Sequence, residues 1–202
     1  MRAWERDASN DHALWMEAPA EDRARADAAI DLSSRDREAA FRIFLALAEG
    51  GMPWAMETVA DHYARAADFD RARDYYCRAI ESGSWFATIG YAKLLSEHGY
   101  FEDCETLLRD GVEQDFIPAF YWLARFRLQR LPGGNTRREV RHLLEHAAEA
   151  GHEGAELALL RMKVRGQLGL REIAAGYREG RRLARRLVET EELPSGQSPA
   201  LG

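Results

Sequence analysis

The segment His142-Leu-Leu-Glu145-His146 holds the residues best placed for chemistry. Two imidazoles four apart on a helix can share one divalent metal ion, with the carboxylate between them as a base for hydrolysis. Glu149 and His152 lie nearby, but no third ligand is evident further along the chain. Cys77, with His62 or His98, is a second candidate, as a thiol nucleophile. No activating motif surrounds it, and an isolated cysteine more commonly fills a core. Gly133-Gly134 is too short to cradle a phosphate and lacks the lysine that such loops use. A third feature is basic. Arg161, Lys163, Arg165, Arg171, Arg178, Arg181, Arg182, Arg185 and Arg186 face only Glu172 and Glu179 between positions 161 and 187. Such a patch suits an anionic partner, or it is a solvated helix face.

The elements that must position these groups follow from a repeat. Four short motifs read Gly51-Met-Pro-Trp-Ala55, Gly83-Ser-Trp-Phe-Ala87, Asp115-Phe-Ile-Pro-Ala119 and Gly151-His-Glu-Gly-Ala155, separated by 32, 32 and 36 residues. A fixed period of that size marks a solenoid of helix pairs. Eleven positions before each motif stand Ala40, Ala72, Cys104 and Val140, and seven before stand Phe44, Tyr76, Leu108 and Leu144. Eight after stand Val59, Tyr91, Leu123 and Leu159. These offsets fall on single helical faces, so each unit has a first helix before the turn and a second after it. The turn glycine suits a left-handed helix ending, which Asp115 tolerates better than most residues. The alanine four later lets two helices approach closely. Ser34, Asp36 and Asp70 read as N-cap signals, and Thr136 with Glu139 has capping-box spacing after the break at Leu131-Pro-Gly-Gly.

In this register the two histidines of the metal-like segment fall at slots filled by Arg42, Asp74 and Thr106, and by Ala46, Arg78 and Asp110, in the other units. Those are solvent-facing slots, so the expectation is no catalytic residue, no metal site, no cofactor and no enzymatic activity. A zinc hydrolase using His142, Glu145 and His146 is the least favoured alternative.

The 202 residues are 31% charged and 46% hydrophobic, an ordinary globular composition. Residues 1–120 carry 13 basic and 24 acidic side chains, whereas 121–202 carry 15 and 10. Only Lys93 and Lys163 depart from arginine among the basic residues. Two cysteines, Cys77 and Cys104, are too few for a disulfide framework. No run is apolar enough for a membrane span, and the charged N-terminus lacks an apolar signal core, so the expected location is cytoplasmic.

Ala147-Ala148, Gly151, Ala155 and Leu159, with Gly166 later, resemble the pattern of the Sel-one-like repeat family, a relative of the tetratricopeptide repeats. Ala79, Gly83, Ala87 and Leu95 match it in part, and the later family glycine is replaced in the other units. The resemblance covers residues 34–168. It implies a right-handed alpha-alpha superhelix acting as an adaptor or scaffold, often in bacterial signalling or assembly complexes.

The expected architecture is all-α: a solenoid of about four helix-pair repeats with capping helices. Residues 1–33 form an N-terminal segment and cap, 34–168 the repeats, 169–192 a basic capping helix and 193–202 a disordered tail. The expected function is non-catalytic binding of a protein or peptide on a concave surface lined by the first helices. Its contacts are the variable slots Arg42, Asp74, Arg78, Asp110, His142 and His146. The alternative is an anionic partner (acidic protein, lipid or nucleic acid) on Arg178, Arg181, Arg182 and Arg185. Nucleic acid is the weakest of these because the chain as a whole is acidic.

Overall fold

The computed structural model describes residues 11–130 and 134–191, and every regular element in them is a helix. A helical segment α1 covers residues 11–17. It is followed by α2 (Ala20–Ser33), α3 (Arg37–Glu49), α4 (Pro53–Arg65), α5 (Phe69–Glu81), α6 (Trp85–Glu97) and α7 (Phe101–Glu113). The array continues with α8 (Ile117–Arg130), α9 (Gly134–Glu149), α10 (Glu153–Val164) and α11 (Leu170–Glu191). This is the expected all-α helical-repeat solenoid. The tail expected over 193–202 and the segment 1–10 lie outside the described residues.

The repeated motif works as its residue types require. Gly51, Gly83 and Gly151 have φ of 94°, 92° and 91°, and Asp115 holds the same left-handed conformation at 57°. Each such residue ends a first helix and lets the next amide reach back to the last turn: Met52 N to Leu47 O, Ser84 N to Ala79 O, Phe116 N to Gly111 O and His152 N to Ala147 O, at 2.9–3.1 Å. The helix-end carbonyls are thereby satisfied without side chains. Ala55, Ala87, Ala119 and Ala155 are fully buried where each second helix begins.

Cap assignments differ in detail. Asp36 caps α3 by accepting from Ala39 N at 3.0 Å, as expected. The cap of α5 is Asp68, not Asp70, which sits in the first turn. Thr136 does not start a helix, because α9 already begins at Gly134. The break before the fourth unit is therefore shorter than Leu131–Thr136.

Packing groups the helices in a way that sequence periodicity does not show. The broadest contacts join each second helix to the first helix of the next unit: α4 with α5, α6 with α7 and α8 with α9. α2, read from sequence as a cap, packs on α3 in the same manner. The α4–α5 seam shows why. Tyr63 stacks on Tyr75 at 5.8 Å, Arg71 lies 5.0 Å over Tyr63, and the buried Tyr76 donates its hydroxyl to Asp61. At α8–α9, Phe120 stacks on His146 at 4.2 Å. Arg127 links three helices by pairing with Glu105 at 2.8 Å and Glu139 at 3.1 Å.

Successive units approach most closely along the second helices. α4 touches α6 and α6 touches α8, a closeness that α3, α5 and α7 do not reach among themselves. Elements on the inner side of a curved array are the ones brought together, so the inner row here is α4, α6 and α8.

Gly90 marks the tightest point between α5 and α6. A Cβ there would fall 2.5 Å from the Tyr76 ring. Gly90→Ala gains helix propensity, about 1 kcal/mol, yet must push Tyr76 off Asp61. The expected outcome is a net loss of about 1–3 kcal/mol in urea unfolding. Unchanged or greater stability would contradict the close approach.

A candidate recognition groove along the second helices

Ten residues after each turn motif begins stand Asp61, Lys93, Arg125 and Arg161, one on each second helix. Six residues after stand Glu57, Ile89, Tyr121 and Leu157. The inner row therefore changes sign along its length, from carboxylates on α4 to cations on α6 and α8, and the register continues onto α10 with Arg161.

At the acidic end, a cavity of about 530 Å³ opens between α1, α2, α4 and α6, walled by Trp15, Ile30, Trp54, Glu57 and Phe86. Trp15 meets Trp54 edge to face at 5.2 Å. Glu57 has its carboxyl pKa pushed up to about 7, first by burial, then by the nearby charges of Asp61 and Asp11, with Lys93 acting in opposition. Asp11 closes this end. It accepts from the buried Ser84 hydroxyl and from Trp85 N at 3.2 Å, which ties α1 to the start of α6. Burial is the largest influence on Asp11 and raises its pKa, although these hydrogen bonds oppose the rise.

At the basic end, Trp122 is a shelf between two cations. Lys93 Nζ lies 4.5 Å from its ring centre and Arg125 Cζ 4.8 Å. A cavity of about 210 Å³ adjoins them, bordered by Ser96, Glu97, Trp122, Arg125 and Gln129 with Cys104 also on its wall. Among the described residues, ten arginines and lysines pair with a carboxylate of their own or a neighbouring helix, as Arg65 does with Asp61 at 3.2 Å and Lys163 with Glu179 at 2.7 Å. Lys93 and Arg125 make no ion pair among the described residues. Cations held on an aromatic face without an ion-paired carboxylate can receive an anion from outside, although Glu97 shares the cavity wall and Glu57 feels the charge of Lys93.

The residues singled out from sequence lie elsewhere. Arg42 is exposed and pairs with Glu38 one turn away. Arg78 ties α5 to α3: it reaches Glu49 at 3.3 Å and the Ala48 carbonyl at 3.3 Å, and lies 4.9 Å over Tyr75. Asp74 is exposed, 3.9 Å from Arg78, and these two are the only members of the set in contact. Asp110 is exposed on α7. His142 is 81% exposed with Glu145 at 3.7 Å. His146 is held by Asp115 at 2.9 Å and by the Phe120 ring. The two histidines thus take different partners, and no cluster of three metal-ligating side chains occurs among the described residues. Arg178, Arg181, Arg182 and Arg185 are exposed on α11 and make no ion pair among the described residues.

Both thiols are poor nucleophiles. Burial raises the pKa of Cys77, and pushes that of Cys104 to about 11. Cys104 instead donates to the Ala92 carbonyl at 3.2 Å. Four histidines serve as packing rings: His62 against Phe41, His98 against Phe69, His146 against Phe120 and His152 against Tyr121. His152 also caps α10 by accepting from Ala155 N through Nδ1 at 3.2 Å, and burial lowers its pKa. The sequence reading missed Glu57, Lys93 and Arg125. The signal that finds them is the same register that defines the turns, read ten residues on for Lys93 and Arg125 and six for Glu57.

Comparison with known proteins agrees on the fold. The solved structure of a MamA double mutant (RS-1 ArsTM) superposes with a TM-score of 0.58 at 14% identity, over 87% of this chain and 99% of that one. This likeness supports a tetratricopeptide-like helical-repeat fold. No family model matches the chain, and no curated protein does. No described helix is long and apolar enough to cross a membrane.

The Glu57 carboxyl sets a pH dependence. Its folded pKa, about 7, lies above the ordinary value of 4.5, so the folded state binds the proton more tightly. Its contribution to stability is full below the ordinary value and is lost as pH rises through 7. Glu57→Gln is expected to be more stable than wild type at pH 8 by an amount on the order of 2 kcal/mol, hence to melt at higher temperature there, and to match it near pH 4.5. Thermal melts across that range check this. Equal melting at pH 8 would contradict the strained carboxyl.

Proposed function

We propose that this chain is a non-catalytic protein–protein recognition scaffold that holds an acidic segment of a partner in the groove along α6, α8 and α10. The observation that carries this reading is the Trp122 shelf, with Lys93 and Arg125 over it and no carboxylate within ion-pair distance among the described residues. Arg161 extends the same register onto α10. The carboxylates of α4 give the groove a polarity, so a basic residue next to the acidic stretch would fix its direction. The tetratricopeptide-like fold supports such a role, because a repeat array offers an extended surface with few constraints on its outer side chains. Within that class the turn-and-alanine register fits the Sel-one-like type, and a bacterial adaptor is the setting that the resemblance implies.

Peptide display against the full chain, followed by fluorescence anisotropy on a selected peptide, tests the reading. Acid-rich peptides are expected to be enriched and to bind more weakly as salt rises. Lys93→Glu with Arg125→Glu is expected to weaken binding by about tenfold or more, whereas Asp74→Asn with His142→Gln leaves it unchanged. Peptides that ignore the groove variant and respond to the first-helix variant would return the site to the first helices.

A second reading is favoured by one observation: Arg178, Arg181, Arg182 and Arg185 are exposed without ion pairs among the described residues. They suit an anionic macromolecular surface, and the structure narrows which one.

A further inference from the structure

α11 carries two seams. Ile173, Gly176 and Gly180 pack on α10: an added Cβ at Gly176 would lie 2.9 Å from the Lys163 Cβ, and at Gly180 3.5 Å from Leu160. The other seam is Leu170, Ala174, Tyr177 and Arg181, spaced by four, three and four, and the sequence continues that spacing at Ala184 and Val188. Nothing among the described residues covers it, and Leu170 is 83% and Tyr177 59% exposed. This spacing is that of a helix seam built to meet another helix.

At the other end of the array, α2 presents Ala20, Ala24, Asp27 and Asp31 with the same spacing of four, three and four, all exposed, with Asp27 also on the rim of the cavity toward α1 and α4. Ala28 stands beside them. Asp27 and Asp31 make no ion pair among the described residues. Helices α3, α5, α7 and α9 each pack between two neighbours, whereas among the described residues α11 packs on α10, and α2 packs on α3 with α1 meeting its first turn, where Arg23 donates to the Met16 carbonyl at 3.2 Å.

We infer that a second copy of this chain docks head to tail, its α2 lying on α11 of the first as the next helix of the array. The two faces match in shape and charge. The alanine column of α2 leaves room for Leu170 and Tyr177, and its carboxylates, with exposed Glu21 and Glu17, meet Arg178, Arg181 and Arg185. A second copy suits this face better than lipid or nucleic acid, because the seam interleaves large apolar side chains with the cations at helix-packing intervals. The two surfaces differ, so each added copy presents a fresh end and the assembly is open.

Sedimentation velocity on the full chain, across a wide range of concentration at low and high salt, tests this. The wild type is expected to grow in mass with concentration at low salt and less so at high salt. Ala24→Arg blocks the α2 face and Tyr177→Arg the α11 face, and each alone is expected to weaken self-association by about tenfold or more while keeping its helical circular dichroism. Mixed in equal amounts, the two variants retain one intact face each and should form a one-to-one dimer that grows no further. A wild type that stays monomeric throughout, variants that associate like wild type, or a mixture that stays monomeric would each overturn the inference. Groove binding by the monomeric variants is measured separately, so failure of the assembly leaves the groove reading standing.

Discussion

Each first helix ends on a residue with positive φ, and the next helix starts within a few residues on an alanine with no exposed surface. That sharp reversal brings two helix ends together at nearly the same geometry four times over. Only a residue without a Cβ, or an aspartate that tolerates the left-handed region, can occupy the hinge without strain. Everything further along depends on it. The reversal sets the antiparallel pairs, the pairs set the register of the apolar faces, and that register repeats along the chain as three contiguous core clusters. Few bulky groups are needed at the crossings. Ala48, Ala60, Ala79, Ala124 and Ala147 are fully buried beside single large side chains such as Tyr76 and Phe116.

Polar chemistry is distributed by the same logic. Ten described arginines and lysines pair with carboxylates within a helix or across one seam, which contributes little energy per pair. Histidines supply flat rings to the seams, where an imidazole stacks on an aromatic neighbour, and His152 also accepts a helix-end amide. The departures stand out against this background. Lys93 and Arg125 are spent on a tryptophan face, Glu57 holds its proton near neutrality, and Arg178, Arg181, Arg182 and Arg185 make no ion pair among the described residues. Two of these departures lie in the inner groove and the third at the end of the array, the two places where a repeat protein can meet something else.

The fold was legible because a solenoid writes its core into the chain at a fixed period. Gly51, Gly83, Asp115 and Gly151 were visible as hinges before any geometry, and Asp115 could be placed only because the period demanded it there. The groove was less legible. Periodicity within one helix shows which face is apolar, but the inner row depends on how successive pairs tilt against one another, and that is decided by contacts such as Tyr76 against Gly90. A reading from single helices therefore favoured the slots of Arg78 and His146, both of which are engaged in tying helices together. The link from Asp11 to Ser84 spans 73 positions and leaves no trace in any local pattern. Asp68 and Asp70 were equally plausible caps by type, and only the backbone path separates them.

The central claim is that the second helices form the inner row. Electron–electron resonance distances between spin labels test it directly, in a background with Cys77 and Cys104 replaced. One pair sits on second helices at Arg65 and Gln129, and the other on first helices at Arg42 and Thr106, each pair two units apart. The account predicts a clearly shorter distance between Arg65 and Gln129. Equal distances, or a shorter one between Arg42 and Thr106, would contradict it and place the groove on the opposite face.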